Sequence, residues 1–339
     1  MSKYPNSLSV KFNTFKGIRT RNGIAANGVI SSVTCQNIDF AASSYDAGVV
    51  IQTSLGNVKI CEYLSGYTLV KGFEFEIENN TLLIFYAEED EAEIGTANKG
   101  KLLVYNFSTN TFTPISTYTY IDDNEDEQTE SVTLTKTGEA NAITMIDNAY
   151  NTFVFTNGIE YYAYCPDGTT IMQKLNPTYT DNNGNEIAVT GLAMCEQDGS
   201  LVIGSKQGLV IASAKGNITD WDYNAAESAT KPWIQYFGKP VTAVVPYIDA
   251  LLVFTPEDST VLSGNFSNPT TSGATRQDAS LGGCMSFESW VKHDKYIFFY
   301  DNNQKNIYYY MQNDYGQKVL GEPIAPEVQS FSIMLINCK

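Results

Sequence analysis

The 339-residue chain has one histidine, His293. Imidazole is the side chain best suited to proton transfer near neutral pH, so a nucleophilic triad has a single candidate base. That residue lies in WVKHDKY, alternating with apolar neighbours as a strand residue does, and no catalytic constellation gathers around it. Cysteine is thin as a ligand source. Cys35, Cys61, Cys165, Cys195, Cys284 and Cys338 stand singly, with no C-x-x-C pair. Structural zinc needs clustered thiols and usually histidine, so neither metal nor cofactor is expected. Four of the cysteines sit in or beside apolar strands (VTCQ, VKICE, YAYCP, LAMCE). With no secretion signal at the start, they read as reduced, buried thiols of a protein made in the cytosol. No apolar run approaches a membrane span, and no sustained 3.6-residue period with caps predicts a long helix. Positive charge is also scarce. Lys and Arg number 21 against 38 Asp and Glu, a net charge of −17, and a surface of that sign repels nucleic acid and anionic lipid.

Strand-forming residues are abundant. There are 22 Tyr and 17 Phe, types that fit a pleated, half-buried surface, and the class is all-β. One pattern recurs about every 50 residues, the repeat length of propeller blades: apolar strand, polar turn, apolar strand, turn, third strand. It reads AITMIDNAYNTFVFTNGIEYYAY from Ala142, VTGLAMCEQDGSLVIGSKQGLVIAS from Val189 and VTAVVPYIDALLVFTPEDSTVLSG from Val241. A looser copy from Cys284 reads CMSFESWVKHDKYIFFYDNNQKNIYYY, and weaker ones contain GVVIQT from Gly48 and TLLIFYA from Thr81. Six units predict a six-bladed β-propeller over residues 31–325, preceded by an extended arm over 1–30. A strand over 326–339, FSIMLI at its centre, would close the ring by pairing the chain ends and hiding sheet edges. A sandwich or jelly roll predicts no such regular repeat. Asn157-Gly158, Asp167-Gly168, Asn183-Gly184 and Asp198-Gly199 predict tight two-residue hairpins.

Charge is unevenly placed. Lys3, Lys11, Lys16, Arg19 and Arg21 precede the first acid, Asp39. Lys11, Lys16, Arg19 and Arg21 make the arm a candidate docking element for an acidic neighbouring surface. Negative charge concentrates in Glu88, Glu89, Asp90, Glu91 and Glu93, inside the second blade, and in Asp122, Asp123, Glu125, Asp126 and Glu127, between the second and third. Both runs read as solvated loops. Gly95–Lys101 (GTANKGK) imitates a phosphate-binding loop, but Leu102 replaces the required Ser or Thr and a strand follows instead of a helix. It predicts a hairpin turn. Trp221-Asp222 occurs once without a Gly-His partner, so it marks no WD repeat. Trp221, Trp233 and Trp290 suit a core better than a sugar platform. Paired carboxylates for glycoside chemistry are not separable by sequence spacing.

Several strings resemble the tail nozzle (tail hub or tail-tube) proteins of short-tailed, podovirus-like bacteriophages. FNTFKGIRTRNGIAANGVISSVTCQNIDF is similar to that family's opening arm and first blade, and GLVIASAKGNITDWDY (Gly208–Tyr223) to a strand and turn ending in Asp-Trp. PYIDALLVFTPEDSTVLSG (Pro246–Gly264) and GGCMSFESWVKHDKYIFFYD (Gly282–Asp301) resemble its most recognisable stretch. The resemblance implies a homo-oligomeric ring, usually a hexamer, in the virion tail. Such a ring is assembled in the host cytoplasm below the portal and head–tail adaptor, and it contacts tail fibre or tip proteins. Genome DNA passes through the lumen without specific binding, and no enzyme activity is implied. At least one acidic run would then lie near the channel or its mouth, where like charge keeps DNA mobile. A carbohydrate- or protein-binding propeller is the main alternative, and a glycan-cleaving enzyme the third.

Overall fold

The computed structural model describes residues 10–12, 38–42, 49–53, 65–77, 80–106, 111–121, 126–168, 170–225, 228–247, 250–268, 273–293, 296–301, 303, 306–312 and 318–320. The chain divides into two units, Met1–Glu62 and Tyr63–Lys339. In the first, β1 (Val10–Phe12), β2 (Ile38–Ala42) and β3 (Val49–Thr53) form an antiparallel sheet in the order β1-β3-β2. Lys11 therefore sits on a strand, in register with Val50. Lys16, Arg19, Arg21 and the expected closing strand fall outside the described residues.

The second unit contains five four-stranded antiparallel meanders, each ordered as the chain runs. The first is β4 (Tyr67–Ile77), β5 (Asn80–Glu89), β6 (Gly100–Asn106) and β7 (Thr111–Ile115). A hairpin of β8 (Thr117–Ile121) and β9 (Glu127–Ser131) follows. The second meander is β10 (Asn141–Asp147), β11 (Tyr150–Thr156), β12 (Tyr161–Tyr164) and β13 (Met172–Leu175). A second hairpin joins β14 (Thr178–Thr180) to β15 (Glu186–Ala188). Next come β16 (Ala193–Gln197), β17 (Ser200–Gly204), β18 (Leu209–Ala212) and β19 (Trp233–Tyr236). The fourth meander is β20 (Ala243–Tyr247), β21 (Ala250–Phe254), β22 (Asp258–Ser263) and β23 (Thr275–Gly282). The fifth is β24 (Trp290–His293), β25 (Tyr296–Asp301), β26 (Asn306–Gln312) and β27 (Lys318–Leu320). No helix occurs among the described residues. Every segment expected as an inner strand (β3, β5, β11, β17, β21, β25) has hydrogen-bonded neighbours on both sides.

The five meanders pack face to face in chain order, and the core lies between them. On β11, Phe153 and Phe155 enter a cluster with Phe75, Ile84 and Tyr86 of the first meander, while Val154 enters the next cluster with Met194 and Leu201. On β17, Leu201 and Ile203 face back towards β11, and Val202 faces forward to Val244 and Val253. On β21, Leu251 and Val253 face β17, and Leu252 and Phe254 meet Ile297 and Phe299 of the fifth meander. Side chains alternate across a strand, so burial on both faces turns these strands into continuous apolar runs. That is why TFVF, SLVI and ALLVF lack the polar alternation of a half-exposed sheet.

The turns correct part of the sequence reading. Asp198-Gly199 is a two-residue turn with both φ positive, 53° and 79°. Asn157-Gly158 and Asn183-Gly184 instead lie in longer connections, Asn157–Glu160 and Asp181–Asn185, with positive φ at the glycine alone. At Asp167-Gly168 neither φ is positive. Among the described residues, Asn148-Ala149 is another two-residue turn of this type, at 47° and 71°, and it carries no glycine.

Candidate functional site: the polar rim and the strand convergence

At the end where second strands turn into third strands, each meander buries polar side chains, among them Glu88, Thr156, Ser205, Thr255 and Asp301, none of these more than 3% exposed. Four of them hold their own turn. Thr156 Oγ1 accepts the Gly158 N–H (2.8 Å), Ser205 Oγ the Gln207 N–H (3.1 Å), Thr255 Oγ1 the Asp258 N–H (3.1 Å) and Asp301 Oδ1 the Asn303 N–H (2.7 Å). The following link docks on the same place. Gly191 N–H donates to Gly158 O, Val241 N–H to Ser205 O and Cys284 N–H to Thr255 O.

Glu88 receives the following link with its side chain. One carboxylate oxygen accepts from Tyr86 Oη (2.7 Å) and from the backbone N–H groups of Thr137 (2.7 Å) and Gly138 (2.8 Å). Burial, reinforced by the Glu88 carboxylate, pushes the Tyr86 phenol far above its ordinary pKa. The clasp extends to the second meander, where Asn157 Nδ2 donates to Thr135 O (2.8 Å) and Glu160 Oε2 (2.7 Å). Thr135 Oγ1 donates to Glu160 Oε1 (2.7 Å). Glu88 is thus no solvated loop charge. It lies on β5 two residues beyond the buried Tyr86 and four beyond the buried Ile84, so the strand period of two carries it to the same inner face. That alternation, IFYAEE, was readable in the sequence.

The rest of the first run is partly neutralised. Glu89, also on β5, pairs with Lys99 at 2.5 Å, and this hydrogen bond raises the lysine's pKa. Lys136 Nζ donates to the carbonyls of Glu89 (2.6 Å) and Asp90 (3.3 Å), and Thr68 Oγ1 donates to Asp90 Oδ1 (2.6 Å). Glu91 and Glu93 are exposed on the β5–β6 connection. The phosphate-loop imitation runs from this connection into β6, and its lysines are engaged: Lys99 by Glu89, and Lys101 by the Tyr67 ring at 4.1 Å. In the second run Asp122, Asp123 and Glu125 lie outside the described residues. Asp126 and Glu127 are exposed, and Glu127 opens strand β9 rather than lying in a loop. Glu130, on the same strand, accepts from the hydroxyls of Tyr118 and Tyr120, and the Tyr118 bond leads in lowering its pKa.

First strands converge elsewhere. β10 approaches β16, and β16 approaches β20. A cavity of about 360 Å³ is lined by β10, β16, β20 and the Phe287–Trp290 region. Lys71 of β4, re-aimed by a register shift between Leu69 and Lys71, pairs with Glu288 and lies 4.9 Å from the Phe287 ring centre. Neither residue was singled out in the sequence, because pairing across such separation leaves no local signal. Cys195 lines this cavity, but burial pushes its thiol far up, and Cys284 is pushed up to about 12. Neither is a nucleophile at neutral pH. His293 ends β24, paired with Tyr296. Trp221 packs in the core between the second and third meanders. Among the described residues no cluster of three or more His, Cys, Asp or Glu could hold a metal ion, and no helix is long and apolar enough to cross a membrane.

No family model and no curated protein matches the chain. Among solved structures, the computationally designed Ika8 protein is similar at 14% identity and a TM-score of 0.41, covering 87% of this chain and 77% of its own. A protein assigned as a 6-phosphogluconolactonase from Bacteroides uniformis is similar at 9% identity and a TM-score of 0.35, covering 71% of this chain and 84% of its own. Likenesses at this level bear on neither fold nor activity.

Proposed function

We propose that the chain is a six-bladed β-propeller serving as a non-enzymatic tail nozzle component of a short-tailed bacteriophage. Each four-stranded meander is one blade, and the three-stranded sheet of Met1–Glu62 is the remaining blade. Copies assemble into a homo-oligomeric ring, most simply a hexamer with cyclic symmetry. The ring sits between the head–tail adaptor or portal and the tail fibre or tip proteins, with genome DNA passing through its lumen. The supporting observation is where the family-like strings fall. PYIDALLVFTPEDSTVLSG runs from the end of β20 through β21 and β22, and GGCMSFESWVKHDKYIFFYD spans the link, β24 and β25 of the next meander. GLVIASAKGNITDWDY contains β18 and the turn that buries Trp221. Exposed acids at the rim, Glu91 and Glu93 among them, suit a conduit that must not hold phosphate, since each cation on a phosphate adds salt-dependent affinity.

Mass photometry of the purified chain with its adaptor, followed by negative-stain imaging, tests this reading. Rings with a central hole are expected. A protein that remains monomeric alone, with adaptor and on the virion would overturn it.

A further inference from the structure

Between the third and fourth meanders, at the end opposite the polar rim, lies a cleft of about 410 Å³, within the size range of small-molecule sites. One wall is aromatic: Trp233, at the start of β19, packs against Phe266 at a centroid distance of 5.4 Å and an interplanar angle of 41°. Leu251 and Leu262 supply an apolar floor. The polar lining is neutral. Gln197 lines the cleft, and its side-chain carbonyl oxygen is buried without a hydrogen-bond donor among the described residues. Ser200, itself buried, makes no side-chain hydrogen bond among the described residues. The two charges, Asp198 and Lys215, pair with each other at 2.8 Å.

We propose that this cleft binds one neutral sugar residue. A buried acceptor without a donor is destabilising by itself, and a ligand hydroxyl would satisfy it. An aromatic wall accepts the apolar face of a pyranose while its hydroxyls turn towards Gln197 and Ser200. Because Asp198 and Lys215 cancel, the cleft offers no free charge to a phosphate or carboxylate. The site goes beyond the conduit reading and does not depend on it, since a monomer would carry the same cleft.

Saturation-transfer NMR on the full chain, with glucose, galactose and N-acetylglucosamine as probes and glucose 6-phosphate as the anionic control, tests the proposal. Transfer to at least one neutral sugar is expected, with affinity falling about tenfold in Gln197→Leu, the effect of one lost hydrogen bond. Trp233→Ala should abolish transfer. If that variant does not fold, Gln197→Leu and Ser200→Ala carry the test, each checked for native near-ultraviolet circular dichroism. No transfer to any of the three sugars, unchanged transfer in folded Gln197→Leu and Ser200→Ala, or equal binding of glucose 6-phosphate would overturn the assignment.

Discussion

Lys71 and Glu288, 217 residues apart in the sequence, form an ion pair that joins β4 of the first meander to the segment entering the fifth. The lysine side chain is 29% exposed and the glutamate 60%, so solvent screens the pair. A double-mutant cycle of Lys71→Met and Glu288→Gln in urea should give a coupling of about 0.5–1 kcal/mol, shrinking as salt is added. Lys71→Ala should lose more than Glu288→Gln, because the ammonium also lies near the rings of Phe287 (4.9 Å) and Phe73 (5.8 Å).

Acids of one sequence run should behave in opposite ways. Removing Glu88 strands the N–H groups of Thr137 and Gly138, while the Tyr86 hydroxyl keeps the Thr135 carbonyl as an acceptor (2.9 Å), so Glu88→Ala should destabilise by about 3 kcal/mol. Glu91→Gln and Glu93→Gln should each stay within about 0.5 kcal/mol. Urea midpoints at constant m-value separate the two cases, and equal effects at all three positions would contradict the clasp. In a conduit, the two surface changes should also slow DNA release at low salt.

Backbone geometry yields a pair of opposite substitutions. Ala149 holds a left-handed φ of 71°, which disfavours a residue with a Cβ by about 1–2 kcal/mol. Ala149→Gly should therefore raise the thermal midpoint. At Gly191 an added Cβ would stand 2.3 Å from Gly204 O, and backbone cannot step aside as a side chain can. Gly191→Ala should cost about 3 kcal/mol or more and separate the third meander from the link that enters it.

Asp147 predicts a pH dependence. Burial raises its pKa above the ordinary 3.8, against the opposing pull of the Ile218 N–H and the Asn148 side chain. The folded value lies above the unfolded one, so its contribution is fully present below the unfolded pKa and is lost as pH rises through the folded pKa. Asp147→Asn removes the ionisation. The variant should be at least as stable as wild type near about pH 7, and wild type should gain on it as pH falls towards about 4. Parallel urea titrations at the two pH values check the sign.

The all-β class, the places of the inner strands and the non-helical character of GTANKGK were determined by the sequence alone. Each rests on local physics: apolar runs long enough for a strand, and turn residues between them. The alternation of Ile84, Tyr86 and Glu88 belongs to the same legible layer, although the acid-rich context pointed to a solvated loop. Only the tertiary structure decided which acids are buried and hydrogen-bonded. Glu88 accepts hydrogen bonds from a segment 49 and 50 residues away, and Lys136 reaches the backbone carbonyl of Glu89 across 47 residues. The convergence of first strands, the Lys71–Glu288 pair and the cleft beside Trp233 belong to the same category. The inner strands β11, β17 and β21 are buried on both faces between successive meanders, and that stacking brings together side chains that share no window of sequence.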